Sequence, residues 1–438
     1  MKEPLRIPDN SECSLARLGA LEADVAELQR LANRSVGELV DENADLLVFP
    51  PDLRQTADKI ETLSICSLTD DTLRTGNLMG FVGVNDVQLN IHSRFAQSDA
   101  DDHFLHHMLL RVFAPNLVDF PHSDSQEPIF DFLIYLFPHY LRQALRQGLF
   151  KQYQRMRYND TNVRGPVDVS RHLRENVPFR GRVSYSTREH RFDNPLTQLV
   201  RHTIEHIRGK AADILRRNAD VQADVAQVVA ATPTYNARER QRVVAENLRP
   251  LRHPYFLEYV PLQRLCLQIL RHESIKYGRE RDRVYGILFD GAWLWEEYLA
   301  TILKGEGLTH AENKVGARPV YVFQEPRGRA LYPDFYRKAD PPLVLDAKYK
   351  RLDSDVRNID RDDLHQMLAY MYLLKAVCGE FVYPTDRAQE PLVHNVRGYG
   401  GAMATYGFCV PQADFKAQIL QSEAALRTHL QTLLDGSL

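Results

Sequence analysis

Between residues 15 and 32 the apolar positions Leu18, Leu21, Val25, Leu28 and Leu31 recur at helical spacing, which predicts one amphipathic helix. From about residue 44 to 95 the texture changes to short apolar runs cut by turns. Leu46-Leu47-Val48-Phe49 stops at Pro50-Pro51, Val87, Leu89 and Ile91 alternate with polar residues, and Gly76-Asn77, Gly80 and Gly83 punctuate the interval. That pattern predicts a small β-rich module able to fold as a unit of its own. Helical spacing dominates residues 101–148, with an apolar stretch at 129–141 broken near Pro138, and resumes beyond Asn194-Pro195-Leu196 to about residue 277, with a turn near Thr232-Pro233. From Val284 onward the expected order is helix, strands, helix, a strand at 380–383, a strand at 405–410 and a last helix. The chain therefore reads as three parts. Residues 1–100 are an N-terminal helix plus β-rich module, 101–283 a mainly helical middle, and 284–438 an α/β domain with a mixed sheet flanked by helices.

Composition narrows the class. The 438 residues are 44% hydrophobic and 26% charged, enough apolar material for sizeable cores. A formal charge of −3 excludes a strongly basic, histone-like binder, so any affinity for phosphate must come from local patches or from a partner. The five cysteines (Cys13, Cys66, Cys266, Cys378, Cys409) form no CxxC pair, which disfavours a disulfide framework or zinc ribbon and makes a reducing cytoplasm the default. The opening MKEPLRIPDNSE has no apolar core of a signal peptide, and no stretch approaches 18 uninterrupted apolar residues. GxxxxGK[ST] is absent, so any dependence on nucleoside triphosphates belongs to a partner.

The most informative chemistry lies in the last third. Pro333-Asp334 is followed by the apolar run Leu343-Val344-Leu345, which ends in Asp346-Ala347-Lys348, and then by Gln366-Met367-Leu368-Ala369-Tyr370. Residues two apart on a strand face the same way, so Asp346 and Lys348 share one face. Asp334 and Asp346 are hard oxygen donors suited to Mg²⁺ or Mn²⁺, and the backbone carbonyl of Ala347 can complete a coordination set. Such a cation polarises a phosphate and lowers the pKa of an attacking water, while Lys348 can orient that water or stabilise developing charge. Glu296, in Trp295-Glu296-Glu297-Tyr298, is a further ligand or water-positioner unless Glu297 faces the site instead. Gln366 and Tyr370 share a helix face and can reach the lysine or a DNA backbone.

Each element has a plainer reading. A lone DxK on a strand is commonly an exposed ion pair, Pro-Asp before a strand a turn, Gln366 and Tyr370 a helix's polar edge, and Trp295 and Tyr298 core. The ordered set is what points to phosphodiester hydrolysis. His103, His106 and His107 beside Asp99, Asp101 and Asp102 suggest either a second metal site or an exposed polar helix start. The basic stretch from Arg142 to Arg164, interleaved with Tyr153 and Tyr158, reads as a phosphate-tracking surface, a solvated helix surface or a docking face. The charged run 353–363 reads as a solvated loop.

The constellation resembles the PD-(D/E)xK nuclease superfamily in its QxxxY-bearing subgroup, and more narrowly the McrC family, the nuclease subunits of McrBC-type modification-dependent restriction systems. Asp346-Ala347-Lys348-Tyr349-Lys350, the glutamine helix and the Trp295-Glu296 helix carry the resemblance. Arg164-Gly165-Pro166-Val167-Asp168 and Asp193-Asn194-Pro195-Leu196 extend it more weakly, over roughly residues 101–383. The segment from Thr75-Gly76-Asn77 to Arg94-Phe95 looks like an N-terminal extension of longer members. The resemblance implies a restriction-endonuclease-like domain that cuts modified double-stranded DNA with a separate McrB-like AAA+ GTPase, whose GTP hydrolysis the subunit stimulates. It carries Asp334, Asp346 and Lys348 over as catalytic, with Glu296 and Gln366 behind them, while Arg164-Gly165-Pro166 departs slightly from the commoner Arg-Gly-Arg type. The rival readings are a RecB-like repair nuclease working with a helicase, and a non-catalytic, motor-activating DNA-binding subunit.

Overall fold

The computed structural model describes residues 4–43, 46–50, 60–96, 102–113, 128–216, 218–249, 251, 253–276, 284–311, 318–323, 328–352, 354–390, 392–398 and 400–435. The N-terminal stretch runs through β1 (Leu5–Pro8), β2 (Glu12–Ser14), α1 (Glu22–Leu31), α2 (Val36–Glu42), β3 (Leu46–Phe49), β4 (Cys66–Thr69), β5 (Thr72–Thr75), β6 (Leu78–Val84), β7 (Val87–His92) and α3 (His103–Phe113). The middle contains α4 (Pro128–Arg146), β8 (Gln152–Asp160), α5 (Val169–Glu175), β9 (Val183–Arg191), α6 (Pro195–Arg216), α7 (Ala219–Ala231), α8 (Arg240–Glu246) and α9 (Tyr259–Lys276). The last third contains β10 (Val284–Asp290), α10 (Gly291–Ile302), β11 (Thr309–His310), β12 (Val320–Tyr321), β13 (Ala330–Leu331), β14 (Phe335–Arg337), β15 (Leu343–Ala347), α11 (Arg361–Leu374), β16 (Cys378–Thr385), β17 (His394–Asn395), β18 (Ala402–Cys409) and α12 (Phe415–Leu434). No helix among the described residues is long and apolar enough to cross a membrane.

The chain divides into two compact units, one made of Met1–Asp124 with Gly278–Leu438 and the other of Ser125–Tyr277. The first and last of the three expected parts thus fall in one unit. β10, expected to begin a helix, is a strand of the N-terminal sheet, whose order is β1-β7-β6-β10-β3. It runs antiparallel to β6 over its whole length and parallel to β3. The physical reason is an apolar run, Val284 to Phe289, that fills the gap between β6 and β3 and is buried on both faces. Two glycines make the close approach possible. A Cβ on Gly80 (φ +131°) would lie 2.1 Å from the Ile287 carbonyl oxygen, and one on Gly286 (φ +153°) 2.3 Å from that of Phe81. Leu28, Leu31, Val36 and Leu39 of α1 and α2 pack on this sheet with Val82, Leu89 and Leu288. The first helix is shorter than its periodicity predicted, because Gly19 takes φ +71° and ends a turn that places Leu15 and Leu18 on the core.

The second sheet of this unit has the order β11-β14-β15-β16-β18-β17. β14 and β15 are antiparallel, whereas β15, β16 and β18 are parallel. Val344, Phe381 and Met403 lie in one apolar cluster with Met367, Tyr370 and Met371, so α11 covers that face. Glu380, one residue out of phase with Phe381, points to the other face and meets His429 of α12, whose ring stacks on Tyr406. α10 packs against the same sheet through Trp295, which donates to the Val382 carbonyl at 3.2 Å and meets Phe408 edge-on. The result is a mixed sheet between helices, as expected.

The other unit is helical, again as expected, with α4, α6, α7 and α9 packed together. α4 continues through Pro138 rather than breaking there, with Leu136, Phe137, Tyr140 and Leu141 all buried. Of the basic segment, Arg142 and Arg146 lie on α4, but the part from Gln152 on is not a helix surface. β8 and β9 pair antiparallel from Gln152↔Arg191 to Asp160↔Val183, a two-stranded ribbon. Gly165 sits against it, where a Cβ would approach the Ser186 carbonyl to 2.3 Å. Asp193-Asn194-Pro195 is a helix start. The Asn194 side chain accepts from the Leu196 and Thr197 amides at 3.1 and 3.2 Å, and Pro195 takes the first helical position.

The shared sheet changes what truncation should do. Removing residues 1–95 would strip β10 of both neighbours, so the remainder is expected to be insoluble or molten rather than a free-standing domain. Gly286→Ala is expected to cost about 2–4 kcal/mol, the scale of a backbone clash in a core strand. Chemical denaturation of the variant, and far- and near-UV circular dichroism of the truncation, measure the two. A cooperatively folded truncated chain would show that the module is separable after all.

Candidate active site

The residues singled out in the last third converge at the C-terminal end of β15. Asp334 immediately precedes β14, and the antiparallel register that sets Phe335 opposite Leu345 brings its carboxylate to that end. Asp334 Oδ2 accepts the Ala347 amide proton at 2.7 Å. Asp346 is buried, and Lys348 Nζ lies 2.8 Å from its Oδ2. The same ammonium donates to Gln366 Oε1 at 3.0 Å and lies 3.2 Å from Asp363 Oδ1. Gln366 donates in turn to the Tyr370 hydroxyl at 2.8 Å, and that hydroxyl to the Tyr332 carbonyl at 3.3 Å. α11 therefore presents Gln366 and Tyr370 on one face toward the strand end. Of the two adjacent acids on α10, Glu296 is buried with Oε1 2.8 Å from His310 Nε2, and His310 stacks on Phe335. Asp290, the last residue of β10, caps α10 by accepting from the Trp293 amide at 2.7 Å, so the N-terminal sheet sets where Glu296 begins its climb.

The electrostatics are those of anions crowded away from water. Asp334 is held well above the usual carboxylate range by burial, then by the charges of Glu296 and Asp346. Asp346 is raised as well, because burial and Asp363 outweigh the relief from Lys348. Burial alone would lower the Lys348 ammonium, but Asp346, Asp363 and Asp334 outweigh it and raise its pKa. Asp363 goes the other way: burial opposes ionisation, yet Lys350 and Lys348 hold its carboxyl below the ordinary value. Asp334 and Asp346 thus have a deficit of positive charge that Lys348 and Lys350 do not cover.

A hard divalent cation fits that deficit. Two carboxylates and the Ala347 carbonyl suit Mg²⁺, which keeps several waters, better than a metal needing a full protein cage. Among the described residues no group of three or more His, Cys, Asp or Glu residues is placed to hold a metal ion, so the fit rests on these two carboxylates and one carbonyl. Glu296 is engaged with His310 and acts on Asp334 through its charge.

Comparison with known proteins places the chain in a family. The model of the McrBC 5-methylcytosine restriction system component family matches residues 73–384. The chain belongs to that family. The match begins in β5 and so takes in the stretch from Thr75 to Phe95 of this McrBC-family chain. Among curated proteins nothing matches. Among solved structures, one similar chain comes from the refined half-complex of the tetradecameric assembly of Thermococcus gammatolerans McrB AAA+ hexamers with bound McrC. It has a TM-score of 0.53 and 16% identity, covering 98% of this chain and 99% of that one, a likeness of fold. The cryo-EM structure of the Thermococcus gammatolerans McrBC complex gives 0.34 at 15% identity over 69% of this chain and 87% of that one, a score that carries no argument.

Three sequence readings of this McrBC-family chain need correction or addition. His107 is not exposed at a metal cluster: it pairs with buried Glu423 at 2.9 Å, beside Arg111 and the Tyr298 hydroxyl. Asp102 caps α3 through the Leu105 amide at 2.9 Å, and Asp99 and Asp101 lie outside the described residues. The charged run 353–363 is more than a solvated loop, since Val356 and Ile359 are buried and Asp363 belongs to the first turn of α11; Asp353 lies outside the described residues. The sequence reading also missed Tyr349, whose hydroxyl lies 2.7 Å from Ser93 Oγ while Arg94 sits over its ring. Arg94 is held by Asp9, and Arg351 donates to the Arg94 carbonyl at 3.3 Å. The lysine-bearing segment is thereby fastened to the N-terminal module.

Folding raises the pKa values of Asp334 and Asp346, so the folded chain binds those protons more tightly than the unfolded chain does. Their contribution is present below pH about 4 and is lost as pH rises through the folded values. Glu423, held at about 2 by His107 and Arg111 against the effect of burial, has the opposite sense, but its contribution is already complete above pH about 5. Between pH 5 and 8, without divalent cations, Asp334→Asn is therefore expected to gain stability relative to the wild type as pH rises, reaching roughly 2–4 °C at pH 8, on the scale of 1 kcal/mol. Calorimetry of both chains in EDTA tests this; a difference that does not grow from pH 5 to 8 would contradict it.

Proposed function

We propose that this McrBC-family chain is a Mg²⁺- or Mn²⁺-dependent DNA endonuclease subunit that cuts modified double-stranded DNA together with a McrB-like AAA+ GTPase and stimulates that partner's GTP hydrolysis. The observation that carries the reading is the pair of charge-crowded carboxylates, Asp334 and Asp346, with Lys348 gripped beside them at the end of β15. Antiparallel β14–β15 followed by parallel β16 and β18, flanked by helices, supports a restriction-endonuclease-like core. The partner is supported by the family match and by the likeness in fold to a chain of an assembly of McrB hexamers with bound McrC.

In this reading Asp334, Asp346 and the Ala347 carbonyl hold the cation, with Glu296 adding negative charge behind Asp334. When bound, the cation polarises the phosphate and makes water a better nucleophile. Lys348 stays protonated, so its part is to stabilise charge developing on the phosphate rather than to take a proton. Gln366 and Tyr370 fix its direction. The −3 net charge and the missing phosphate loop leave DNA capture and nucleotide hydrolysis to the partner. The setting is the cytoplasm.

Cleavage and motor activation should separate. Asp346→Ala and Lys348→Ala are expected to lower the rate of cutting by about 10²–10³-fold or more, the cost of losing one preorganised charge. Asp334→Asn should abolish cutting while GTP hydrolysis by the partner is still stimulated. Both activities are measured side by side with purified partner, GTP, Mg²⁺ and methylated DNA. Wild-type cutting by a folded Asp346→Ala chain would end the nuclease reading.

A further inference from the structure

The proposed chemistry leaves one charged group near the lysine without a role. Asp363 stands in the first turn of α11, one helical turn before Gln366, and is half-buried. Its Oδ1 lies 3.2 Å from Lys348 Nζ, and its Oδ2 contacts Lys350 Nζ. An ammonium has three protons, and Lys348 has three acceptors around it: Asp346 at 2.8 Å, Gln366 at 3.0 Å and Asp363 at 3.2 Å.

These acceptors are not equivalent once a cation is present. Asp346 would be shared with the metal, whose charge would weaken the hold of that carboxylate on the ammonium. Gln366 is neutral and offers a dipole. Asp363 is the acceptor that is both charged and outside the proposed ligand set. It also reaches Lys350, which Asp360 contacts at 3.1 Å, so the start of α11 holds both lysines of the strand end.

We propose that Asp363 is a positioning residue that keeps Lys348 directed at the reacting phosphate when Asp346 turns to the cation. The inference rests on the nuclease reading above. It predicts a specific division of effects. Asp363→Asn keeps the shape of the side chain but removes the charge, so the lysine loses its fixed anchor while DNA contacts and metal ligands remain. The turnover number is expected to fall roughly 10–100-fold, the range for a misplaced catalytic group, with KM for DNA and half-saturation by Mg²⁺ changed less than about twofold. Asp363→Glu should recover part of the loss. Asp360→Asn, which touches Lys350 alone, should cut at the wild-type rate.

A second measurement needs neither DNA, cation nor partner. Acylation of Lys348 by an amine-reactive reagent, followed by mass spectrometry, reports how firmly the ammonium is held. The rate should rise several-fold in Asp363→Asn and not in Asp360→Asn, with circular dichroism confirming the fold; Asp363→Ser replaces the Asn variant if that one fails to fold. A folded Asp363→Asn chain with wild-type turnover overturns the proposal, as does an unchanged acylation rate. A rise of about tenfold or more in the Mg²⁺ requirement would make Asp363 a ligand instead, by the coupling of affinity to ligand charge. If the wild-type chain does not cut at all while acylation still responds to Asp363, the positioning holds and the nuclease reading is what fails.

Discussion

Three carboxylates that act on one another with little water between them set the terms for the last third of this chain. Glu296, Asp334 and Asp346 come from a helix, a strand approach and a strand end, and the charges of Glu296 and Asp346 both raise the cost of ionising Asp334. Desolvated like charges need either protons or cations. Lys348, 2.8 Å from Asp346, relieves both aspartates without offsetting their burial. Everything that approaches this point serves to keep the geometry in spite of the repulsion. Asp334 receives an amide proton from Ala347, Glu296 leans on His310, and the glutamine helix takes two of the lysine's three protons.

Much of this was legible in the sequence because it is local. The alternation of a strand fixes Asp346 and Lys348 on one face, and helical spacing aligns Gln366 with Tyr370, whatever surrounds them. The order of the motifs along the chain then constrained the pairing of β14 with β15. Contacts that depend on distant segments could not be read. His310 is a lone histidine in a two-residue strand, and nothing near it in sequence announces Glu296 as its partner. Asp363 looked like one more charge in a charged run, although its spacing of three before Gln366 was a usable sign.

The N-terminal half taught the opposite lesson. Its strands were visible from alternation and turn residues, but their grouping was not. β10 lies far along the chain and reads, by its apolar content alone, equally well as helix or strand. The ribbon of β8 and β9 was hidden for another reason. Its arginines and tyrosines recur at both faces, since a two-stranded ribbon exposes most of its surface, and the alternation that betrays a half-buried strand is absent. Likewise Tyr349 sits in the middle of a motif whose neighbours all face the chemistry, and its role is to plug the motif into another sheet.

That late strand also imposes an order of assembly on a nascent chain. β6 leaves the ribosome with one edge paired to β7, and the strand that covers its other edge lies about as far away as Tyr285 is from Asn85, a separation of 200 residues. At translation rates of about 5–20 residues per second, the open edge waits roughly 10–40 s. About three quarters of the intervening segment is one compact unit with its own internal contacts, so it can finish folding inside this interval. An unpaired apolar edge of that lifetime is a site for mispairing with neighbouring chains. Yield of folded protein should therefore depend on how crowded the growing chains are, and a binder that shields β6 during synthesis would act before any finished chain exists to be regulated.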